Sequence, residues 1–166
     1  MSPRAYLLAL FFTASALPAQ TGRTLLADTA TVTVRQGGCK GTVSGERMRG
    51  LFMHEAVVVS RDGERHTYRG PLLRNVLITA CPSVGALDKH GMVASAVKVM
   101  AADGFTAVIA GMEMDSTFQA KPVILAIDRD GAPLDGHQGP FQLIVPDDLR
   151  HSRNVRNVRS IELLKP

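Results

Sequence analysis

At 166 residues with a formal net charge of +4, the chain has the length of one domain and only a mild basic excess. It contains no Trp and no stretch in which aromatic residues interleave with Lys and Arg, which excludes the usual signature of a nucleic-acid binder. Low-complexity tracts, internal repeats and long linkers are absent, so no second domain is expected.

The first segment reads as an address. Met1 to Arg4 carries one positive charge, Ala5 to Phe12 is apolar throughout, and small residues follow at Ala14-Ser15-Ala16 and before Ala19. That is the three-part layout of a secretory signal, expected to span residues 1–19 with cleavage after Ala19 or, failing that, after Ala16. The competing reading is an N-terminal helix packed on the domain. The apolar run is too short for a bilayer, which needs about 20 residues, and no later stretch qualifies, so no membrane span is expected. The mature chain, residues 20–166, is then periplasmic or secreted. A chain of that size buries about two thirds of its unfolded surface and does not need disulfides to fold.

Thr29 to Val34 alternates Thr with Val or Ala, the period of a half-buried strand. Gln36 to Gly45 is glycine-rich around Cys39 and Lys40. A phosphate cradle would require Gly-Lys followed by Ser or Thr, whereas here Lys40 precedes Gly41, so a plain loop is the better reading. Ser44 is placed to cap a short helix running to Leu51, with Glu46 in its first turn. Glu55 to Ser60 and Arg65 to Arg69 flank Asp62-Gly63 as the arms of a hairpin. Pro71 suits the first turn of a helix over Leu72 to Ala80 whose apolar face is Leu72, Leu73, Val76 and Leu77. Cys81-Pro82 stops it. Ala94 to Ala101 and Phe105 to Ile109 are strands joined at Asp103-Gly104.

Val123 to Ile127 is apolar without interruption, as in a strand buried on both faces. Asp130-Gly131 turns the chain, and a loop bracketed by Pro133 and Pro140 carries Gly136, His137, Gln138 and Gly139. Phe141 to Val145 returns as a strand ended by Pro146. Strands, hairpins and short helices without βαβ regularity predict a single β-rich α+β domain over residues 20–166.

Three segments in order carry a resemblance: Tyr68-Arg69-Gly70-Pro71-Leu72-Leu73, the Asp130-Gly131 to Pro146 stretch, and Arg153-Asn154-Val155-Arg156-Asn157-Val158-Arg159-Ser160-Ile161. Together they resemble the oxidoreductase molybdopterin-binding domain, the fold of the sulfite oxidase family, over roughly Glu55 to Leu164. The resemblance implies a mixed β-rich fold of that type, an "aromatic-x-Gly" segment entering a helix, and a closing basic strand. It also implies a cysteine thiolate on molybdenum, upstream of the segment's glycine; counting back from Gly70 puts it among Val57, Val58, Val59 and Ser60. No cysteine stands there, and neither an aliphatic side chain nor a hydroxyl replaces a soft sulfur ligand. Molybdopterin is thus the cofactor that the resemblance implies, while the ligand set argues for none. By the same resemblance Arg153 and Arg156 contact an anionic group, with Arg69 and His137 lining the same cleft. Arginine suits that task because its planar fork binds paired oxygens. The alternative is that these charges form a solvated face, paired with Asp147 and Asp148.

Cys39 and Cys81 in an exported chain are either bridged, since the periplasm is oxidising, or free, as two buried thiols or one buried and one exposed. The five histidines, His54, His66, His90, His137 and His151, lack zinc-ligand spacing. No nucleophile elbow, carboxylate pair or dinucleotide fingerprint is present. Three function classes follow: a metal-free exported domain binding a small anion or a periplasmic protein partner, a molybdenum-pterin oxidoreductase with an atypical ligand, and an accessory subunit of an exported redox complex. N-terminal sequencing of exported protein is expected to begin at Gln20 or Leu17, and soluble cytoplasmic protein retaining Met1 would eliminate the signal.

Overall fold

The computed structural model describes residues 27–165. The expected signal segment and the expected mature start at Gln20 lie outside them. The described residues form a mixed, mostly β structure with short helices, as the α+β expectation required.

The first strands among the described residues are β1 (Thr31–Gln36) and β2 (Cys39–Ser44), an antiparallel pair closed by a turn in which Gly37 has φ +53°. Of the glycine-rich segment expected as a loop, only the turn at residues 37–38 is one; Cys39–Ser44 is strand. Residue-by-residue pairing with β1 overrides the low strand propensity of glycine. Gly41 has a specific reason to lack a side chain: a Cβ there would sit 2.5 Å from the Ala80 carbonyl oxygen. Helix α1 (Gly45–Arg49) follows, and its first turn is capped as expected, with the Arg47 N–H donating to Ser44 Oγ at 3.2 Å.

β3 (Met53–Val59) and β4 (Arg65–Pro71) form the predicted hairpin. Pro71 closes β4 instead of opening the helix; α2 spans Leu73–Ala80. The Leu73 N–H donates to the Val123 carbonyl at 3.0 Å, so the first helical donor is satisfied by a strand and proline is not needed to excuse it. A 3-10 turn (Pro82–Ala86), α3 (Lys89–Val93), β5 (Ala96–Ala101) and β6 (Thr106–Ala110) come next, then a second 3-10 turn (Gly111–Met114). β7 (Ile124–Ala126), β8 (Asp128–Arg129), β9 (Ala132–Pro133), β10 (Gln142–Ile144) and β11 (Val158–Leu164) complete the chain.

Three sheets result: β2-β1-β11-β5-β6, β3-β4-β8-β9, and the ribbon β7-β10. The first and last strands pair in parallel, with Val34 beside Ile161, and the other pairings are antiparallel. A large core packs the five-stranded sheet against α2 through Val32, Val34, Val99, Ile161, Leu73 and Leu77. A smaller one holds Ala56, Val58, Tyr68, Leu72, Ile124, Ala126, Leu134 and Ile144. The ribbon divides them. Val123, Leu125, Ile127 and Leu143 belong to the large core, while the alternate residues Ile124, Ala126 and Ile144 belong to the small one. That two-sided burial is why the run from Val123 carries no polar residue until Asp128.

The ribbon lies against β4 with almost no gap. A Cβ on Gly70 would collide with the Leu125 carbonyl, so only glycine fits there. Cys39 and Cys81 are joined, with Cα atoms 6.0 Å apart, which ties β2 to the residue after α2. Of the two alternatives left open for the cysteines, the structure has the bridge. Closing a loop of sequence separation 42 is worth about 2–4 kcal/mol. Reduction, or the double change Cys39→Ser/Cys81→Ser, is expected to lower stability by that amount in urea unfolding. Equal midpoints with and without reductant would show that the bridge contributes nothing.

Candidate functional site

The sequence-derived site residues Arg69, His137, Arg153 and Arg156 do not converge on one cleft. Arg153 and Arg156 lie in the loop before β11, because that strand starts only at Val158. The segment expected to be a basic strand is thus mostly loop. Three backbone bonds hold it there: Leu143 N–H to Val155 O at 2.8 Å, Asn157 N–H to Gln138 O at 3.0 Å, and Ala102 N–H to Asn157 O at 3.0 Å.

Arg153 is consumed by carboxylates. Its Nε donates to Asp148 Oδ2 at 2.9 Å and its Nη2 to Asp148 Oδ1 at 2.5 Å. The same guanidinium donates to both oxygens of Glu113, at 3.1 and 3.0 Å. These four bonds, to two carboxylates, leave one of the guanidinium's five N–H donors. The Arg153 hydrogen bonds, opposed by partial burial, hold the Asp148 carboxyl below the usual carboxylate range. The same bonds to Asp148 and Glu113 push the Arg153 guanidinium upward, so it stays charged at every accessible pH. Glu113 Oε2 also accepts the Ala110 N–H at 2.8 Å. Arg153 therefore clamps the 3-10 turn after β6 to the loop after β10. Of the two acidic neighbours, Asp148 pairs with this arginine, whereas Asp147 pairs with Lys121.

Arg156 differs. Its Nη1 lies 2.8 Å from His137 Nε2, and no carboxylate pairs with it among the described residues. The His137 loop is zipped to it from the other side, with Asn157 Nδ2 donating to the His137 carbonyl at 3.1 Å. The loop itself is built by Asp135, whose Oδ1 accepts the N–H groups of His137 at 2.9 Å and Gln138 at 2.8 Å. The Gly139 N–H goes to the Asp135 carbonyl at 2.7 Å. Burial opposes ionisation of Asp135, but the two backbone donors outweigh it and lower its pKa. The glycine loop is thus not an open nest of N–H donors. The donors at positions 137–139 are already taken, and an external anion would have to use side chains.

Arg69 belongs to another cluster. It is exposed, with Nη1 4.0 Å from Asp128, a carboxylate held by Arg49 Nη1 at 3.2 Å. Arg49 also reaches Asp28 at 2.6 Å. No contact among the described residues joins Arg69 to His137, Arg153 or Arg156.

At the position where a metal ligand was sought, Val58 is buried in the small core, while Val57 and Val59 face outward and line a groove of about 390 Å³. No group of three or more His, Cys, Asp or Glu side chains suited to a metal ion is found among the described residues. Glu113 escaped the sequence reading because it meets Arg153 across 40 positions, with no local pattern to announce it. Asp148, five residues from Arg153, was visible as a partner.

No family model matches the chain, and no curated protein matches it. No helix among the described residues is long and apolar enough to cross a membrane.

The clamp predicts a pH signature. A depressed carboxylate contributes stability above its unfolded value near 3.9 and loses it as pH falls through the folded value. The groups are partly exposed, so Asp148→Asn is expected to cost about 1–2 kcal/mol at neutral pH. In urea unfolding the gap from the parent should shrink below about pH 4. A gap independent of pH would mean that the Asp148 charge contributes nothing.

Proposed function

We propose that this is an exported, metal-free domain of the sulfite oxidase type of fold, acting as a binding module for a small anion at the corner made by His137 and Arg156. The observation that carries this is Arg156: like Arg150 and Arg159 it has no carboxylate beside it among the described residues, but of the three it is the one whose guanidinium stands against an imidazole. A guanidinium left without a counter-ion is a ready site for paired oxygens. Asn157, held through its own side chain to the His137 carbonyl, keeps the two segments together.

Support for the fold type comes from the segments that carry the resemblance. The aromatic-x-Gly strand is β4, Gly70 is the point of closest approach to β7, and a helix follows directly. Support for export comes from the Cys39–Cys81 bridge, which persists in an oxidising compartment.

The donor set does not fit molybdenum. The window from Val57 to Ser60 presents aliphatic groups and a hydroxyl, and both cysteines are consumed by the bridge, so no thiolate is left to bind the metal. The oxidoreductase reading has no ligand to rest on.

Calorimetry with phosphate, sulfate and a pterin is the test. The parent is expected to bind at least one of them, and Arg156→Ala to weaken binding about tenfold or more, since a charge-assisted bond is worth about 1.5–3 kcal/mol. Arg153→Ala should lower the melting temperature with little effect on affinity. A parent that binds none of the three, or an Arg156→Ala variant that binds equally well, would sink the proposal. Stoichiometric molybdenum in protein from its own export pathway would restore the oxidoreductase.

A further inference from the structure

The groove of about 390 Å³ has no part in the anion site. It is lined by Glu55, Val57 and Val59 of β3 with Arg65 of β4, together with the segment from Ala120 to Pro122 and Pro146. β3 is the edge of its sheet and pairs only with β4 among the described strands. It carries no Lys, no Pro and no bulge, the devices that normally protect an edge. Its outward residues Val57 and Val59 are 45% and 46% exposed. Along an edge strand, backbone N–H and C=O groups of alternate residues are offered outward to whatever lies beside it. Pro122 and Pro146, which also line the groove, have no N–H to compete for an incoming acceptor.

Charge gives the groove a direction. Glu55 lies toward one end, and Arg65, paired in register with Val59, lies at the other. Neither is in an ion pair among the described residues, whereas Lys121 is tied to Asp147 at 3.2 Å. Four residues of strand separate the two ends, about 13 Å at the usual rise. A small anion would use only one end and would meet Glu55 at the other. A ligand matching both ends is extended, about five residues long, and dipolar.

We propose that this groove binds an extended peptide segment that adds to β3 as a further strand, with a basic residue over Glu55, an acidic group at Arg65, and small β-branched residues against Val57. The peptide's backbone supplies the hydrogen bonds and its two charges set its register. This inference does not depend on the anion site.

The probes are two pentapeptides with free side chains and blocked ends, Lys-Thr-Val-Thr-Asp and its charge-swapped order Asp-Thr-Val-Thr-Lys, titrated into the full exported protein by calorimetry. One order corresponds to a parallel strand and the other to an antiparallel one, so the parent is expected to prefer one. The exposed double change Glu55→Lys/Arg65→Glu should reverse that preference. Methylating alternate peptide nitrogens should weaken binding about tenfold or more by removing ladder bonds. No binding of either peptide at millimolar concentration would overturn the proposal. So would equal binding of the methylated peptide, or an unchanged preference in the double variant. Concentration-dependent dimerisation that the peptides fail to dissociate would assign the edge to a second copy of the chain and overturn it as well.

Discussion

The structure depends on a two-stranded ribbon buried on both faces. β7 and β10 have neither face in water: one row of their side chains fills the large core and the other fills the small one. A ribbon in that position must satisfy its outward backbone groups with protein. The neighbours do so: the Ile127 N–H donates to the Arg69 carbonyl at 2.9 Å, and the Val123 carbonyl accepts from Leu73 at the start of α2. On the other side the Leu143 N–H donates to Val155 and the Phe141 carbonyl accepts from Val158, which fixes where β11 begins. Each of these bonds is modest, about 1 kcal/mol net, but leaving a buried donor unpaired costs about 1–3 kcal/mol. The ribbon therefore dictates the positions of β4, α2 and β11 together.

That arrangement also explains where chemistry is and is not available. The loop between β9 and β10 must leave the small core and return, and Asp135 stabilises the reversal by accepting the N–H groups of the two residues next in line. The donors that would make a glycine loop into an anion cradle are used to build the loop. Likewise Arg153 holds the segment before β11 to the segment after β6. Two of the features that look functional in a one-dimensional reading are thus parts of the scaffold. Arg156, one helical turn's worth of sequence away, is left facing His137 and solvent.

Much of the architecture was legible in local sequence. The hairpin at Asp62-Gly63, the Ser44 cap, the apolar face of α2 and the uninterrupted run at Val123 each reflect physics confined to a few neighbouring residues. The errors came where distant segments decide. Gly41 argues for a loop until Val34 of β1 is set beside it and Ala80 against it. Pro71 looks like a helix start until β4 is seen to run through it and the Leu73 N–H to donate to the Val123 carbonyl. The basic segment looks like strand until Asn157, with φ +50°, and its bonds to Gln138 and Ala102 are in view.

For the site the division is sharper. The sequence by itself determined that no cysteine stands in the window from Val57 to Ser60, because that is a question of composition. It also determined that basic residues crowd the stretch from Arg150 to Arg159. Only the tertiary structure decided which of those charges are spent. Whether a guanidinium is a ligand site or a clamp depends on which carboxylates lie within about 3 Å of it. Glu113 arrives at Arg153 from 40 residues away along a path set by the sheet, not by its neighbours in sequence. Side-chain identity is local, whereas the pairing of charges is a property of the packed chain.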